Sequence, residues 1–156
     1  MIIISHRGNL EGSDEDIENN PQQVESVIKQ GYDCEIDLHV DSGNFFLGHD
    51  EPKYKISIDW LMTYQNFLWI HCKSFVALTQ LINYRVELNF FWHESDDFTL
   101  TSHGYIWTFP GKNLGSRSIA VLPENTLDLN SLSQEYFINL YGVCTDFPQK
   151  IRTFVT

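Results

Sequence analysis

The chain has 156 residues, 42% of them hydrophobic and 14% aromatic, which excludes a disordered chain and leaves room for one domain, residues 1–156, with a real core. A formal net charge of −11 argues against nucleic acid and anionic membrane surfaces as partners, because their phosphates would be repelled. No stretch approaches the roughly 18 apolar residues of a membrane span, and Cys34, Cys72 and Cys144 lack CxxC or zinc spacing. With the first strand beginning at Ile2, no signal peptide is expected, and a reduced, cytoplasmic protein fits best.

In chain order, Ile2–Ser5 reads as a buried strand that stops abruptly at His6-Arg7-Gly8 and delivers an imidazole and a guanidinium to a loop. Asn20-Pro21 opens a helix whose Val24, Val27 and Ile28 share a face, and Gly31 closes it. The next run, 33–40, is a strand with Glu35 and Asp37 on one face and Cys34, Ile36 and Leu38 on the other. Asp41-Ser-Gly43 turns the chain back into a strand at 44–48, which ends in Gly48-His49-Asp50. Residues 57–66 and 75–84 carry mixed helical periodicity around a strand at 67–72, where His71 and Lys73 share a face. Further strands are expected at 86–92, 105–109, 118–122 and 142–145, with a helix at 132–141.

Eight strands with polar residues at their C-terminal ends predict a shortened (β/α)8 barrel of the TIM type. Such barrels typically need about 250 residues, so several connecting helices must be reduced or missing. Any barrel surface left bare would be covered by another copy in a homo-oligomer.

The chemistry follows from residue types and positions. Glu35 and Asp37 pointing inward among apolar neighbours are costly unless a cation joins them, and a hard divalent ion bound through oxygen is the natural partner. Solvated carboxylates on an edge strand are the plainer alternative. His71 completes the metal site and Lys73 holds a phosphate oxygen, unless both are ordinary residues of a half-buried strand. His6 and His49 are candidates to divide proton transfer, since imidazoles titrate near neutral pH.

Ser5-His-Arg-Gly8, Glu18-Asn19, Glu35-Ile-Asp37, Gly48-His-Asp50, Lys73, Ile106-Trp-Thr108 and Thr145-Asp-Phe-Pro148 stand in the order of motifs found in the glycerophosphodiester phosphodiesterase family. The chain resembles that family, part of the superfamily of phosphatidylinositol-specific phospholipase C-like barrels, most strongly over residues 5–50. The resemblance implies an acid/base pair of His6 and His49, metal ligands Glu35 and Asp37, and phosphate contacts from Arg7 and Lys73. It implies a small phosphodiester substrate, a Mg2+ or Ca2+ ion (or Mn2+), and attack by a neighbouring hydroxyl of the substrate to give a cyclic phosphate.

Three departures stand out. The family usually has a metal-binding glutamate where this chain has His71, which favours a somewhat softer metal; Glu94 or Glu124 is the alternative third ligand. Pro123-Glu-Asn-Thr126 resembles an early family motif but lies too late in the chain to be its equivalent. The chain is also much shorter than most members, which bears on the substrate more than on the chemistry. Two smaller signals remain: Trp92-His93-Glu94 with Asp96 and Asp97 is a polar cluster or a solvated loop, and Trp107 is a pocket wall or core. The expected activity is metal-dependent hydrolysis of a glycerophosphodiester-type substrate. The rivals are a phosphate-binding barrel without catalysis and a related lyase that releases the cyclic phosphate.

Overall fold

Strands in this chain alternate sides at every residue, and that alternation builds the molecule. The computed structural model describes residues 1–155. Ten strands form one sheet: β1 (Ile2–His6), β2 (Asp33–Asp41), β3 (Asn44–Leu47), β4 (Tyr54–Ile56), β5 (Leu68–Cys72), β6 (Asn89–Phe91), β7 (Phe98–Leu100), β8 (Ile106–Thr108), β9 (Ser118–Val121) and β10 (Gly142–Thr145). The helices are α1 (Pro21–Lys29), α2 (Ile58–Thr63), α3 (Phe75–Leu81), α4 (Gln134–Phe137) and α5 (Pro148–Val155). Neighbours in the parallel part run β6-β5-β2-β1-β10-β9-β8.

The expected (β/α)8 barrel is not formed. The sheet curls into a half-barrel, β7 runs antiparallel to β8, and among the described residues β6 and β7 share no ladder. No α-helix lies between β6 and β9. The reason is connection length. Parallel strands need a crossover of about a dozen residues or more, whereas residues 92–97 and 101–105 are too few, so the chain folds straight back. The strand expected at 44–48 is likewise not a barrel strand, because β3 pairs antiparallel with β2 and then with β4. Ser42 and Gly43 make that turn with φ of +49° and +76°, the pattern of a two-residue hairpin.

Three apolar clusters pack against the sheet, one of them built from Ala120, Leu129, Phe137, Val143 and Ile151. On the outer face Cys34, Ile36 and Leu38 of β2 and Ile70 and Cys72 of β5 pack with Val24 and Val27 of α1, Leu61 of α2 and Ala77 and Leu81 of α3. Inside the curl, Ile4, Trp69, Phe91, Trp107, Ile119, Val121 and Cys144 make the second core. Trp107 is therefore core, at 5% exposure, and also borders the cleft described below. All three cysteines are free and buried. Among the described residues no helix is long and apolar enough to cross a membrane.

Register then lines up the inward positions. Glu35 stands beside His6 on one side and Trp69 on the other, and Asp37 stands beside His71. The polar residues of three strands thus rise to the same end of the curl, above a floor of tryptophan and phenylalanine.

Candidate functional site

At the C-terminal ends of the strands a cleft of about 660 Å³ opens, and His6, Arg7, Glu35, His49, His71 and Lys73 all line it. Asp37 does not reach its surface: the side chain is fully buried just beneath. Six of the seven residues singled out from sequence face one space, and the seventh supports them from below.

Asp37 is held by four groups. Asn19 Nδ2 donates to its Oδ2 at 3.0 Å, while the Asp37 N–H donates to Asn19 Oδ1 at 2.8 Å. His71 Nδ1 lies 3.1 Å and Lys73 Nζ 3.5 Å from its Oδ1. Arg7 Nε is 2.9 Å from Oδ2 but off the line of its N–H, so charge rather than an aligned hydrogen bond joins this pair. Burial alone would raise the Asp37 pKa, but the His71 bond and the charges of Arg7 and Lys73 win and hold it far below the ordinary carboxylate range.

Glu35 has the opposite balance. It is 3% exposed, takes a 3.3 Å bond from the Arg7 N–H, and has His6 Nε2 only at 3.9 Å. Burial and the neighbouring Asp37 charge raise its pKa, and His6, Arg7 and His71 only partly offset them. Two carboxylates two residues apart thus differ: Asp37 has Arg7, His71 and Lys73 within 3.5 Å, whereas His6 Nε2 stands 3.9 Å from Glu35.

His6 is tied through Nδ1 to Asp146 Oδ1 at 2.8 Å. Burial would lower its pKa, yet the Asp146 bond and the Glu35 charge raise it overall. Asp146 moves down in turn, since the His6 bond outweighs its own burial. Asn9 Nδ2 also reaches Asp146 at 2.8 Å, and Glu124 receives the Asp146 N–H and the Thr145 hydroxyl, each at 2.8 Å. His49 is looser, with its side chain 40% exposed and Nδ1 2.8 Å from Asp50. Burial and the charges of Arg7 and Lys73 lower its pKa.

Backbone geometry aims these groups. Arg7 has φ +55°, a left-handed conformation that ends β1 and turns the guanidinium back over Asp37 and onto Glu18 at 3.2 Å. Gly48, at φ +151°, precedes His49, and a Cβ there would collide with Glu51 O. The Gly48 carbonyl lies 2.9 Å from His39 Nε2, which pins the turn.

Glu35, Asp37 and His71 each offer a ligand atom within 4.8 Å of the others, the one such cluster among the described residues. The donor set fits a divalent ion: two carboxylates and an imidazole, with Glu35 buried and short of positive charge. The alternatives are not in place. Glu94 is exposed and Glu124 is turned toward Thr145 and Asp146, outside the cluster.

Sequence reasoning missed the roles of Asp146, Asn9, Glu18 and Asn19. Glu18-Asn19 and Thr145-Asp-Phe-Pro148 were visible as motifs, but nothing in spacing shows that residues 140 apart would touch. The Trp92-His93-Glu94 cluster was visible in sequence, but not that the His93 ring would stack on His71, with centroids 4.5 Å apart; Trp92, His93, Glu94 and Asp96 all line the cleft. That cluster is therefore part of the cleft wall. No family model matches the chain, and no curated protein or solved structure matches it.

Proposed function

We propose that the cleft hydrolyses a small phosphodiester of the glycerophosphodiester type with the help of a divalent cation such as Mg2+, Ca2+ or Mn2+. The observation that carries this reading is the convergence of two histidines, two cationic side chains and a carboxylate–imidazole cluster on one cleft in an otherwise strongly acidic chain.

Arg7 and Lys73 present positive charge at the cleft surface, where a phosphate group would sit and where charge builds on its oxygens in the transition state. Their shared anchor, the buried Asp37, keeps both side chains in place before substrate arrives. Asp146 behind His6 fixes which ring nitrogen faces the cleft and favours the protonated ring, which suits His6 to donate to the leaving alcohol. His49, more exposed and beside two cations, is suited to accept the proton of the attacking hydroxyl. Glu35, Asp37 and His71 would hold the ion, which supplies neutralisation of a phosphate oxygen and acidifies a hydroxyl. Trp92, Phe109 and Pro110 add apolar surface to the cleft lining.

A second reading has one observation in its favour. Asp37 is already saturated by Arg7, Asn19, His71 and Lys73, as it would be in a metal-free site that only binds phosphate. Turnover of glycerophosphoglycerol, which carries a hydroxyl next to its phosphate and an alcohol leaving group that needs a proton, separates the two when followed by phosphorus NMR with and without added Mg2+, Ca2+ or Mn2+. Metal-dependent conversion to a cyclic phosphate or a phosphomonoester, lost in His6→Ala, supports the enzyme; phosphate binding without conversion under any metal supports the binding module.

A further inference from the structure

The opposite end of the sheet carries a second cavity, of about 280 Å³, that phosphodiester chemistry does not use. Asp33 stands at the start of β2 and Asn89 at the start of β6, while Tyr105 and Tyr141 precede β8 and β10, and all four line it. Trp69, facing inward from β5, forms part of the wall, and Glu87 brings a second carboxylate.

Three aromatic rings meet there at tilted angles. Trp69 lies 5.2 Å from Tyr105 and 6.5 Å from Tyr141, and the two tyrosines lie 4.2 Å apart, centroid to centroid. Their hydroxyls are joined at 2.9 Å. Arg117 already rests 5.2 Å from the Tyr105 ring, so one ring of the group carries a cation on its outer flank.

Asp33 is the informative member. Trp69 Nε1 donates to its Oδ2 at 2.9 Å, and among the described residues no lysine, arginine or histidine forms an ion pair with it. An asparagine would accept the same Trp69 bond without a buried charge, so the bond alone does not account for a carboxylate here. Two carboxylates exclude an anionic ligand. A divalent metal is disfavoured too, since no three His, Cys, Asp or Glu ligand atoms converge at this end among the described residues.

We propose that this cavity binds a small organic ammonium ion, with its charge on Asp33 and its carbon substituents against Trp69, Tyr105 and Tyr141. Aromatic walls beside a carboxylate are the chemistry that recognises alkylated and primary ammonium groups.

The test is a titration of tetramethylammonium chloride and n-butylammonium chloride into the full chain, at constant ionic strength against sodium chloride and at about pH 8, well above the ordinary carboxylate range. Proton–nitrogen NMR reads the Trp69 indole N–H. We expect a saturable shift of that signal with at least one of the two ions, and no such shift for Trp92, which lines the other cleft. Asp33→Asn should weaken binding by about tenfold or more, and so should Tyr141→Leu, while His49→Ala should leave it unchanged. The proposal is overturned if neither ion shifts Trp69 saturably, or if the variants bind as the wild type does. Should Asp33→Asn fail to fold, Tyr141→Leu and the wild-type spectrum decide the question. The outcome does not depend on phosphodiesterase activity, because the two cavities lie at opposite ends of the sheet.

Discussion

His6 Nδ1 lies 2.8 Å from Asp146 Oδ1, which ties the end of β1 to the residue just after β10 across 140 positions of sequence. The contact exists because β1 and β10 are adjacent parallel strands, with Ile4 beside Cys144 and Ser5 beside Thr145. The C-terminal ends of β1 and β10 thereby meet at the cleft.

That pair makes stability depend on pH in a defined window. His6 has its folded pKa raised above the ordinary 6.5, so its contribution is fully present below that value and is lost as pH rises through the folded pKa. Asp146 has its folded pKa lowered below 3.8, so its contribution is present above that value and is lost as pH falls through the folded pKa. The pair should stabilise most between those two values. Comparing urea midpoints of wild type and Asp146→Asn across pH should show the largest difference in that window. A constant difference at every pH would refute the assignment.

Removing the imidazoles tests the chemistry. Under the proposed function, His6→Ala and His49→Ala should each lower kcat on glycerophosphoglycerol by about 10²–10⁴-fold with the fold intact, as measured by circular dichroism. Near-full activity in both variants would end the acid/base reading.

The metal cluster makes a separable prediction. Glu35→Gln keeps the shape but removes the charge, so metal affinity measured by calorimetry should fall sharply while the metal-free protein remains folded. His71→Ala should weaken binding, and His71→Glu should keep it and shift preference toward Mg2+ or Ca2+, which favour oxygen ligands. Unchanged affinity in His71→Ala would remove His71 from the ligand set.

Asp33 should prove costly to the fold. Its folded pKa of about 6 lies above the ordinary 3.8, so the folded state holds its proton longer and stability falls as pH rises between those values. Asp33→Asn should therefore be more stable than wild type by about 1–2 kcal/mol above pH ~6, allowing for partial exposure, with the gain fading toward pH ~4. Thermal melts at three pH values suffice. A loss of stability at high pH would show that the charge has a partner within the fold.

Gly48→Ala should be strongly destabilising, because the added Cβ meets the Glu51 carbonyl and the backbone sits at φ +151°. Because the same turn positions His49, any folded Gly48→Ala protein should also lose activity, as read by phosphorus NMR on glycerophosphoglycerol.

How much of this was legible beforehand depends on the range of each interaction. Strand periodicity is local. It placed Glu35 with Asp37, and His71 with Lys73, on common faces, and it set Cys34 and Cys72 opposite them; the structure has each of these arrangements. The hairpin at Ser42-Gly43 and the helix opened by Asn20-Pro21 were equally local and equally visible. Barrel closure was not local. It depended on whether the short connections after β6 and β7 allow a parallel crossover, and they do not, so the strands counted from sequence form a half-barrel, with β3 antiparallel and two further antiparallel strands, β4 and β7, that the sequence reading did not include.

The sequence by itself determined the residue types at each strand end and the face each one takes, because a side chain's direction along a strand alternates with period two. Only the tertiary structure decided which charges meet. Asp146 behind His6, Asn19 beneath Asp37 and an Asp33 without an ion-pair partner among the described residues all follow from strand order and register, which depend on contacts between residues far apart in the chain.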